Sequence, residues 1–246
     1  MSEGLQDHIV FNGIKYEWLA QSGMRMTTDD GFVLYTDPIM LDKNPPKAGL
    51  ILISHHHVDH CLPEFITPIR GEKTKIAAFH ESYVKYCAQD IKGVRTVKIG
   101  QTIELSGVRI TGTEAYTKRG FHTKGEGCGF IMELGGQRIY FSGDTAGIKE
   151  MEALGPIDAA ILPICDNTYT IDLHDTANAV RLIKPKLFIP VHYTPMDEPD
   201  PRVTEGMLFS KDPRFFTRKE DPCALKKELE DSGIEVAVLR KLCRYG

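Results

Sequence analysis

The chain has 246 residues, of which 41% are hydrophobic and 26% are charged. This composition is that of an ordinary soluble globular protein with one large domain or two small ones. The formal net charge of -4 and the pI near 6.1 provide no basic footprint for nonspecific nucleic-acid binding. No segment approaches the roughly 18 apolar residues of a membrane helix, and the first residues lack the layout of a secretory signal. We therefore expect a cytoplasmic protein that does not enter a membrane, and the composition disfavours nucleic acid as a partner without excluding a local basic groove.

The six cysteines are scattered along the chain and include no Cys-x-x-Cys pair. This pattern predicts free thiols, because both a thiolate zinc site and a disulfide framework need grouped cysteines.

The first half of the chain reads as a series of short β-strands. The strand-like segments, in chain order, are HIVFNGIKYEWLA, GMRMTT, FVLYTDP, AGLILIS, VRTVKIG and QTIELSGVRITGTEAY. One helix is predicted among them, at ESYVKYCAQDI, where apolar residues recur at helical intervals. The segment GCGFIMELGGQRIYFSGDT then predicts a hairpin with its turn at Gly135 and Gly136.

The second half alternates helices with apolar strands, which is typical of strands buried under covering helices. The predicted elements are the helix GIKEMEALG, the strand DAAILPI, the helix DTANAVRLIK and the strand LFIPVHY. Residues 195–222 are rich in proline and charge and predict a surface loop insertion. The tail CALKKELEDSGIEVAVLRKL predicts a helix, a glycine stop and a last strand. We expect one domain over residues 1–246.

The segment ILISHHHVDHC, residues 51–61, places four histidines and an aspartate directly after an apolar strand. If the chain stays extended, His55, His57 and Asp59 point to one side, and His60 follows at once. Imidazole nitrogens and carboxylate oxygens both suit zinc and similar divalent ions. A solvated histidine tract is the alternative, but this spacing favours a site for two metal ions.

Three more metal-capable residues stand beside predicted strands. Asp144 follows RIYFSG, His192 follows LFIPV, and His122 lies in the glycine-rich loop TKRGFHTKGEGCGF. Each has an alternative interpretation: Asp144 as a helix cap, His192 as a core histidine and His122 as a solvent-facing loop residue.

The combined pattern resembles the metallo-β-lactamase-fold hydrolases. The resemblance rests on His-x-His-x-Asp-His at 55–60, on Gly-Asp-Thr at 143–145 and on the strand-end His192. Segments such as IYFSGDT and IKPKLFIPVHY are most similar to a small branch of metal-dependent hydrolases with ascorbate-6-phosphate lactonase-like and phospholipase D-like members.

This resemblance implies an α+β fold, an αββα four-layer sandwich with the ligands on loops at one edge. It implies two divalent ions, most readily Zn²⁺, with Mn²⁺ or Fe²⁺ as alternatives. The first ion would be held by His55, His57 and His122, and the second by Asp59, His60 and His192, with Asp144 bridging.

The implied activity is hydrolysis of a small ester-like or phosphoester substrate by metal-activated water, with Asp59 as the catalytic residue that orients this water or accepts its proton. Asp37 is a candidate acceptor for a ligand histidine N–H, with a turn role before Pro38 as its alternative. Lys118 and Tyr193 are candidates for supporting the ligands or for contacting the substrate. The basic residues around His122 would favour an anionic substrate, but a solvated basic loop is the favoured interpretation of them.

Two other functions stay open: a nuclease of the same fold, and a noncatalytic metal-binding or sensing module. A homo-oligomer is also compatible with the sequence.

Overall fold

The structure is a computed structural model that describes residues 5–57, 59–79, 93–117, 122–165, 170–193 and 220–242. The predicted helix at residues 81–91, Lys118 and all but the last three residues of the predicted insertion at 195–222 lie outside the described residues. Among the described residues, no helix has the length and hydrophobicity needed to cross a bilayer.

The first sheet contains seven strands that lie side by side in chain order. They are β1 (Ile9–Phe11), β2 (Ile14–Ala20), β3 (Gly23–Thr28), β4 (Val33–Thr36), β5 (Leu50–Ile53), β6 (Lys75–Ala78) and β7 (Val94–Thr96). Strands β1 to β4 pair antiparallel, as hairpin connections allow, and β4 to β7 pair parallel. Asn12 and Gly13 join β1 to β2 with φ of 45° and 79°, the positive values that a tight hairpin turn requires.

The second sheet follows the same plan with the later strands. They are β8 (Thr102–Leu105), β9 (Val108–Ala115), β10 (Gly127–Leu134), β11 (Gln137–Phe141), β12 (Ala159–Pro163), β13 (Leu187–Val191) and β14 (Glu235–Val236). Strands β8 to β11 pair antiparallel and β11 to β14 pair parallel. The predicted turn at Gly135 and Gly136 does join β10 to β11.

The two sheets share one buried apolar cluster, so the main core lies between them. Trp18 and Met24 from the first sheet belong to this cluster together with Phe130 and Phe141 from the second. The hydroxyl of Tyr16 also donates a hydrogen bond across the core to Gln137 Oε1, at 3.1 Å. Removal of this apolar surface from water, at roughly 25 cal/mol per Å², is the main stabilising force of such a sandwich.

Helices cover the outer faces of both sheets. Helix α1 (Pro63–Ile69) packs Ile66 and Ile69 into a second apolar cluster on the first sheet. Helices α2 (Leu173–Ile183) and α3 (Pro222–Glu228) contact each other, and α2 also contacts β12 of the second sheet. Asp172 begins α2 by accepting a hydrogen bond from the backbone of Asp175, a typical N-cap. The layers therefore form the expected αββα sandwich.

Two helical segments differ from the sequence prediction. Helix α1 was not predicted, since its seven residues include Pro63 and Pro68 and show little periodicity. The predicted helix GIKEMEALG is a short 3₁₀ helix, Lys149–Ala153, and a second 3₁₀ helix spans Glu230–Ser232. Both are one or two turns long, below the length at which helical periodicity is a strong signal.

The parallel halves of the two sheets decide where functional side chains gather. Asp37 and Ser54 directly follow β4 and β5, and His192 follows β13. In sheets of parallel strands, ligands bind beyond the carboxyl ends of the strands. The loops after these strands therefore form the candidate site.

Candidate metal centre

The histidine motif follows β5 and turns sharply after His57. The backbone amides of His60 and Cys61 both donate to the carbonyl of His57, each at 3.0 Å. The chain therefore does not stay extended as far as Asp59, which was the condition for His55, His57 and Asp59 to point to one side. Because of this turn, Asp59 and His60 face a different group of side chains from His55 and His57.

Two triads of possible ligands lie side by side. In each triad the candidate ligand atoms lie within 4.8 Å of one another. The first triad is His55, His57 and His122, and the second is Asp59, His60 and His192. These are the groupings that the resemblance implies, and among the described residues no cysteine belongs to either.

His122 and His192 are delivered by the second sheet. His122 lies in the connection between β9 and β10, where its carbonyl accepts a hydrogen bond from the amide of Thr117 at 2.9 Å. It is 2% exposed, so the solvent-facing interpretation is wrong. His192 follows β13 with φ of 59°, and its amide donates to the carbonyl of Gln21 at 2.8 Å.

Asp144 lies between the two triads. Its Oδ2 atom is 3.9 Å from Nε2 of His55 and 4.0 Å from Nε2 of His122. The same oxygen is 3.3 Å from Nε2 of His60 and 3.5 Å from Nε2 of His192. The 3₁₀ helix that follows begins only after Ile148, so the helix-cap interpretation of Asp144 is wrong.

Gly143 allows Asp144 to reach this position. Its φ is 61°, and a Cβ atom there would lie 3.1 Å from Cβ of Ser54. A side chain would therefore be both strained and crowded against the start of the histidine motif.

A third group, Asp37, His55 and His60, is a hydrogen-bond network rather than a further triad. Asp37 is fully buried and accepts bonds from the amide and hydroxyl of Ser54, at 2.8 and 2.5 Å, and from Nδ1 of His60 at 2.7 Å. The Ser54 oxygen also lies 2.9 Å from Nδ1 of His55. Since the Ser54 hydroxyl donates to Asp37, it accepts from His55. His55 thus carries its proton on Nδ1, and Nδ1 of His60 donates to Asp37, while Nε2 of both rings faces Asp144.

The buried nitrogens fit divalent metal ions. Nε2 of His55 and Nε2 of His60 are buried and make no hydrogen bond within the described part of the chain. The imidazole rings crowd together, with centroids of His55 and His57 at 4.7 Å and of His55 and His60 at 4.0 Å. Unbonded buried nitrogens are costly, and a bound cation satisfies them. Nitrogen and carboxylate donors without sulfur suit zinc, manganese or iron.

The two triads differ in their protonation. Burial lowers the pKa of His55 well below its usual value and that of His57 to about 4. Burial acts in the same direction on His60, but the carboxylates of Asp144, Asp59 and Asp37 outweigh it and raise the pKa well above the usual value. Burial also opposes protonation of His192, and Asp144 again raises the pKa.

The structure places the other predicted residues as follows. Asp37 lies where a ligand-orienting residue was expected. Tyr193 was a candidate for contacting the substrate, but it is 2% exposed, stacks on Trp18 at 4.6 Å and donates to the carbonyl of Leu239. Lys124 forms ion pairs with Glu150 at 2.7 Å and with Glu114 at 3.5 Å, so neighbouring carboxylates match its charge.

Two residues near the centre were missed by sequence reasoning. Ser54 precedes His55 directly, and this adjacency was the available signal. Ser22 lies in the β2–β3 turn, and its hydroxyl donates to Oδ1 of Asp144 at 3.3 Å. Nothing in the turn sequence AQSG suggested a contact with a residue more than a hundred positions away.

Comparison with known proteins explains this arrangement. The family model described as a β-lactamase superfamily domain matches residues 15–192. The chain belongs to the metallo-β-lactamase superfamily. A UPF0173 metal-dependent hydrolase of Pelotomaculum thermopropionicum is 38% identical over 168 residues, which are 63% of this chain and 72% of the relative.

Solved structures agree with this membership. A proposed metal-dependent hydrolase from Parabacteroides distasonis has a TM-score of 0.76 and 28% identity, with 97% of this chain and 99% of that one covered. Igni18, a metallo hydrolase from Ignicoccus hospitalis, has a TM-score of 0.70 at 23% identity, with coverage of 93% and 95%. The predicted fold is confirmed, and the protein is a metal-dependent hydrolase of this superfamily.

Proposed function

We propose that the protein uses two divalent metal ions to hydrolyse a small ester-like substrate, such as a lactone or thioester, or a phosphoester. Zn²⁺ is the ion we expect, with Mn²⁺ or Fe²⁺ as alternatives. His55, His57 and His122 hold the first ion. Asp59, His60 and His192 hold the second.

One observation carries the proposal: a single oxygen, Oδ2 of Asp144, faces both triads. It lies within 4.0 Å of Nε2 of His55 and His122 and within 3.5 Å of Nε2 of His60 and His192. A carboxylate oxygen shared between two groups of imidazole nitrogens is what a pair of neighbouring cations requires. A structural zinc site would instead need only one closed set of four protein ligands.

Metal ions held by these residues would act as Lewis acids and would lower the pKa of bound water from about 15.7 to about 7, so that hydroxide would be available at neutral pH. The side chains around the ions orient the water and the substrate. Asp59 is the best placed residue for this role, because its side chain is 13% exposed whereas those of His60 and Asp144 are 0% and 2% exposed. It therefore borders the space from which water and substrate enter.

The charge of Asp59 defines how it acts. Burial acts to raise its pKa, but His60 and His192 outweigh burial and hold the pKa well below its usual range. Asp59 is therefore ionised at neutral pH. An ionised carboxylate with a low pKa is a weak base, so Asp59 orients water by accepting its hydrogen bond rather than by removing its proton.

The test begins with metal stoichiometry. Protein purified without added metal is stripped with a chelator, reloaded stepwise with Zn²⁺ or Mn²⁺, and assayed on lactones, thioesters and phosphodiesters, with single-stranded RNA included as the nuclease alternative. We expect two ions per chain by plasma mass spectrometry. Activity on one of the small-substrate classes should reach its maximum only after the second equivalent.

His57→Ala and His174→Ala form a matched pair of variants. His57 belongs to the first triad, whereas His174 lies on α2, has a side chain that is 74% exposed and pairs with Glu228. The first substitution should remove activity with little change in the circular dichroism spectrum, and the second should leave activity intact. Full activity with one ion per chain, or retained turnover in His57→Ala, would contradict the proposal.

A further inference from the structure

The turn between β2 and β3 lies against the metal centre, although its sequence contains no metal-binding residue type. Gln21 and Ser22 form this turn, and Ser22 is fully buried. The carbonyl of Gln21 accepts one hydrogen bond from the indole of Trp18 and one from the amide of His192, each at 2.8 Å. The turn is therefore tied through its backbone to a residue of the second triad.

The close approach of this turn also depends on Gly23. A Cβ atom at Gly23 would lie 2.8 Å from the carbonyl oxygen of Asp37. Any larger residue would push the turn away from the segment that carries Asp37. The chain thus places the turn against both sides of the centre by backbone contacts alone, and the side chain of Ser22 is not needed for this.

The hydroxyl of Ser22 has a different role from these anchors. It donates to Oδ1 of Asp144 at 3.3 Å, while Oδ2 of the same carboxylate faces the four imidazole nitrogens. The two oxygens of Asp144 therefore have separate environments. Rotation of an aspartate about its last torsion has a broad, roughly two-fold profile, so a donor at one oxygen selects which oxygen faces the ligands.

We propose that Ser22 is a positioning residue that holds Oδ1 of Asp144 and thereby presents Oδ2 alone to both triads. The inference rests on the proposed pair of metal ions and adds a residue of the β2–β3 turn to the centre. Without the hydroxyl, the carboxylate is free to rotate and to direct both oxygens to one triad, which weakens its hold on the other.

The experiment compares the wild-type chain with Ser22→Ala and with Ser106→Ala. Ser106 is a matched control, since it also lies in a hairpin turn and its hydroxyl donates to a backbone carbonyl, that of Gly49, away from the centre. Zn²⁺ binding to each metal-free protein is measured by competition with a chromogenic chelator. Co²⁺ is then used to record the absorption bands that report coordination geometry.

We expect the wild type and Ser106→Ala to bind two ions alike. Ser22→Ala should bind at least one ion about 10- to 100-fold more weakly, the range typical of residues that orient metal ligands. Its Co²⁺ bands should also shift in position or intensity. The melting temperature of the metal-free protein should match that of the wild type, because the backbone anchors of the turn remain.

The outcomes separate this inference from the proposal on which it rests. If the wild type binds two ions, and Ser22→Ala binds them with the wild-type affinities and an unchanged Co²⁺ spectrum, the role of Ser22 alone is overturned. A lowered melting temperature of metal-free Ser22→Ala would also overturn it, since the hydroxyl would then support the fold itself. Fewer than two ions in the wild type would overturn both proposals.

Discussion

The two sheets share one strand plan and yet supply the candidate metal centre in different ways. Each has four antiparallel strands followed by parallel ones in sequence order. The first sheet supplies four candidate ligands from one segment, His55–His60, directly after β5. The second sheet supplies His122, Asp144 and His192 from three separate connections. The first contribution is thus local in sequence, and the second depends on strands that come together only in the fold.

The clearest contrast is between two buried aspartates, Asp37 and Asp144, which follow the last antiparallel strand of their sheets. Asp37 follows β4 at once and accepts three hydrogen bonds, from Ser54 twice and from His60. Asp144 follows β11 after two further residues and keeps Oδ2 directed at the histidine nitrogens. The two aspartates occupy equivalent positions but have different environments, because the hydrogen-bond donors around each carboxylate differ. Asp37 is hydrogen-bonded to the candidate ligand His60 and to Ser54, whereas we propose that Asp144 is itself a ligand.

The largest effect is expected at the carboxylate between the triads. Asp144→Asn replaces the charged oxygen that faces both triads with a neutral amide of the same size. Metal content should fall below two ions per chain, and kcat/KM should fall by more than the roughly 10- to 100-fold cost of outer-shell substitutions. Plasma mass spectrometry and steady-state kinetics measure the two effects. An unchanged metal content would contradict the bridging position.

The corresponding change in the first sheet should have a smaller effect. Asp37→Asn removes the carboxylate that accepts hydrogen bonds from Nδ1 of His60 and from the hydroxyl of Ser54. This hydroxyl in turn accepts a hydrogen bond from Nδ1 of His55. Because one ligand of each triad loses its orientation, affinity for both ions should fall by about 10- to 100-fold. Stepwise Zn²⁺ titration distinguishes this result from the loss of one ion alone, which would show that Asp37 supports only one triad.

A still smaller effect is expected from Ser54→Ala. Among the candidate ligands, the hydroxyl accepts a hydrogen bond from His55, while His60 keeps its direct bond to Asp37 at 2.7 Å. The affinity of the first triad for its metal ion should fall by about 10-fold, the lower end of the range for residues that orient metal ligands. The affinity of the second triad should change little. The same titration provides the measurement, and equal losses at both sites would show that the network acts as one unit.

The smallest effect is a difference in proton release between the triads. In the metal-free protein, His60 and His192 have raised pKa values and are protonated at pH 7, whereas His55 and His57 have lowered values and are neutral. Metal ions bind neutral imidazole, so filling the second triad should release protons and filling the first should release few. The number of protons released on metal binding should decline as the pH rises through the raised pKa values of His60 and His192.

Calorimetry of Zn²⁺ binding in buffers with different ionisation enthalpies counts these protons. Since His57 has a pKa of about 4, its contribution should appear only under acidic conditions. Equal proton release for both equivalents at pH 7 would show that the two triads do not differ in this way.

The sequence predicted the elements with strong local signals. The alternating strands, the turn at Gly135 and Gly136 and helix α2 were all found, because their periodicity and turn residues are local properties. Helix α1 was missed since its prolines hide its pattern. The predicted α-helix at residues 147–155 is a 3₁₀ helix, because the seven residues between Gly147 and Gly155 are too few for a stable α-helix.

By itself, the sequence determined the membership in the fold, the metal-binding motif after β5 and the strand-end positions of Asp144 and His192. These follow from residue types and their spacing along the chain. Only the tertiary structure decided that Tyr193 is buried, that the chain turns after His57, and that Ser22 reaches Asp144. The physical reason is that hydrogen bonds between distant segments depend on how two sheets pack, and packing leaves no periodic signal in the sequence.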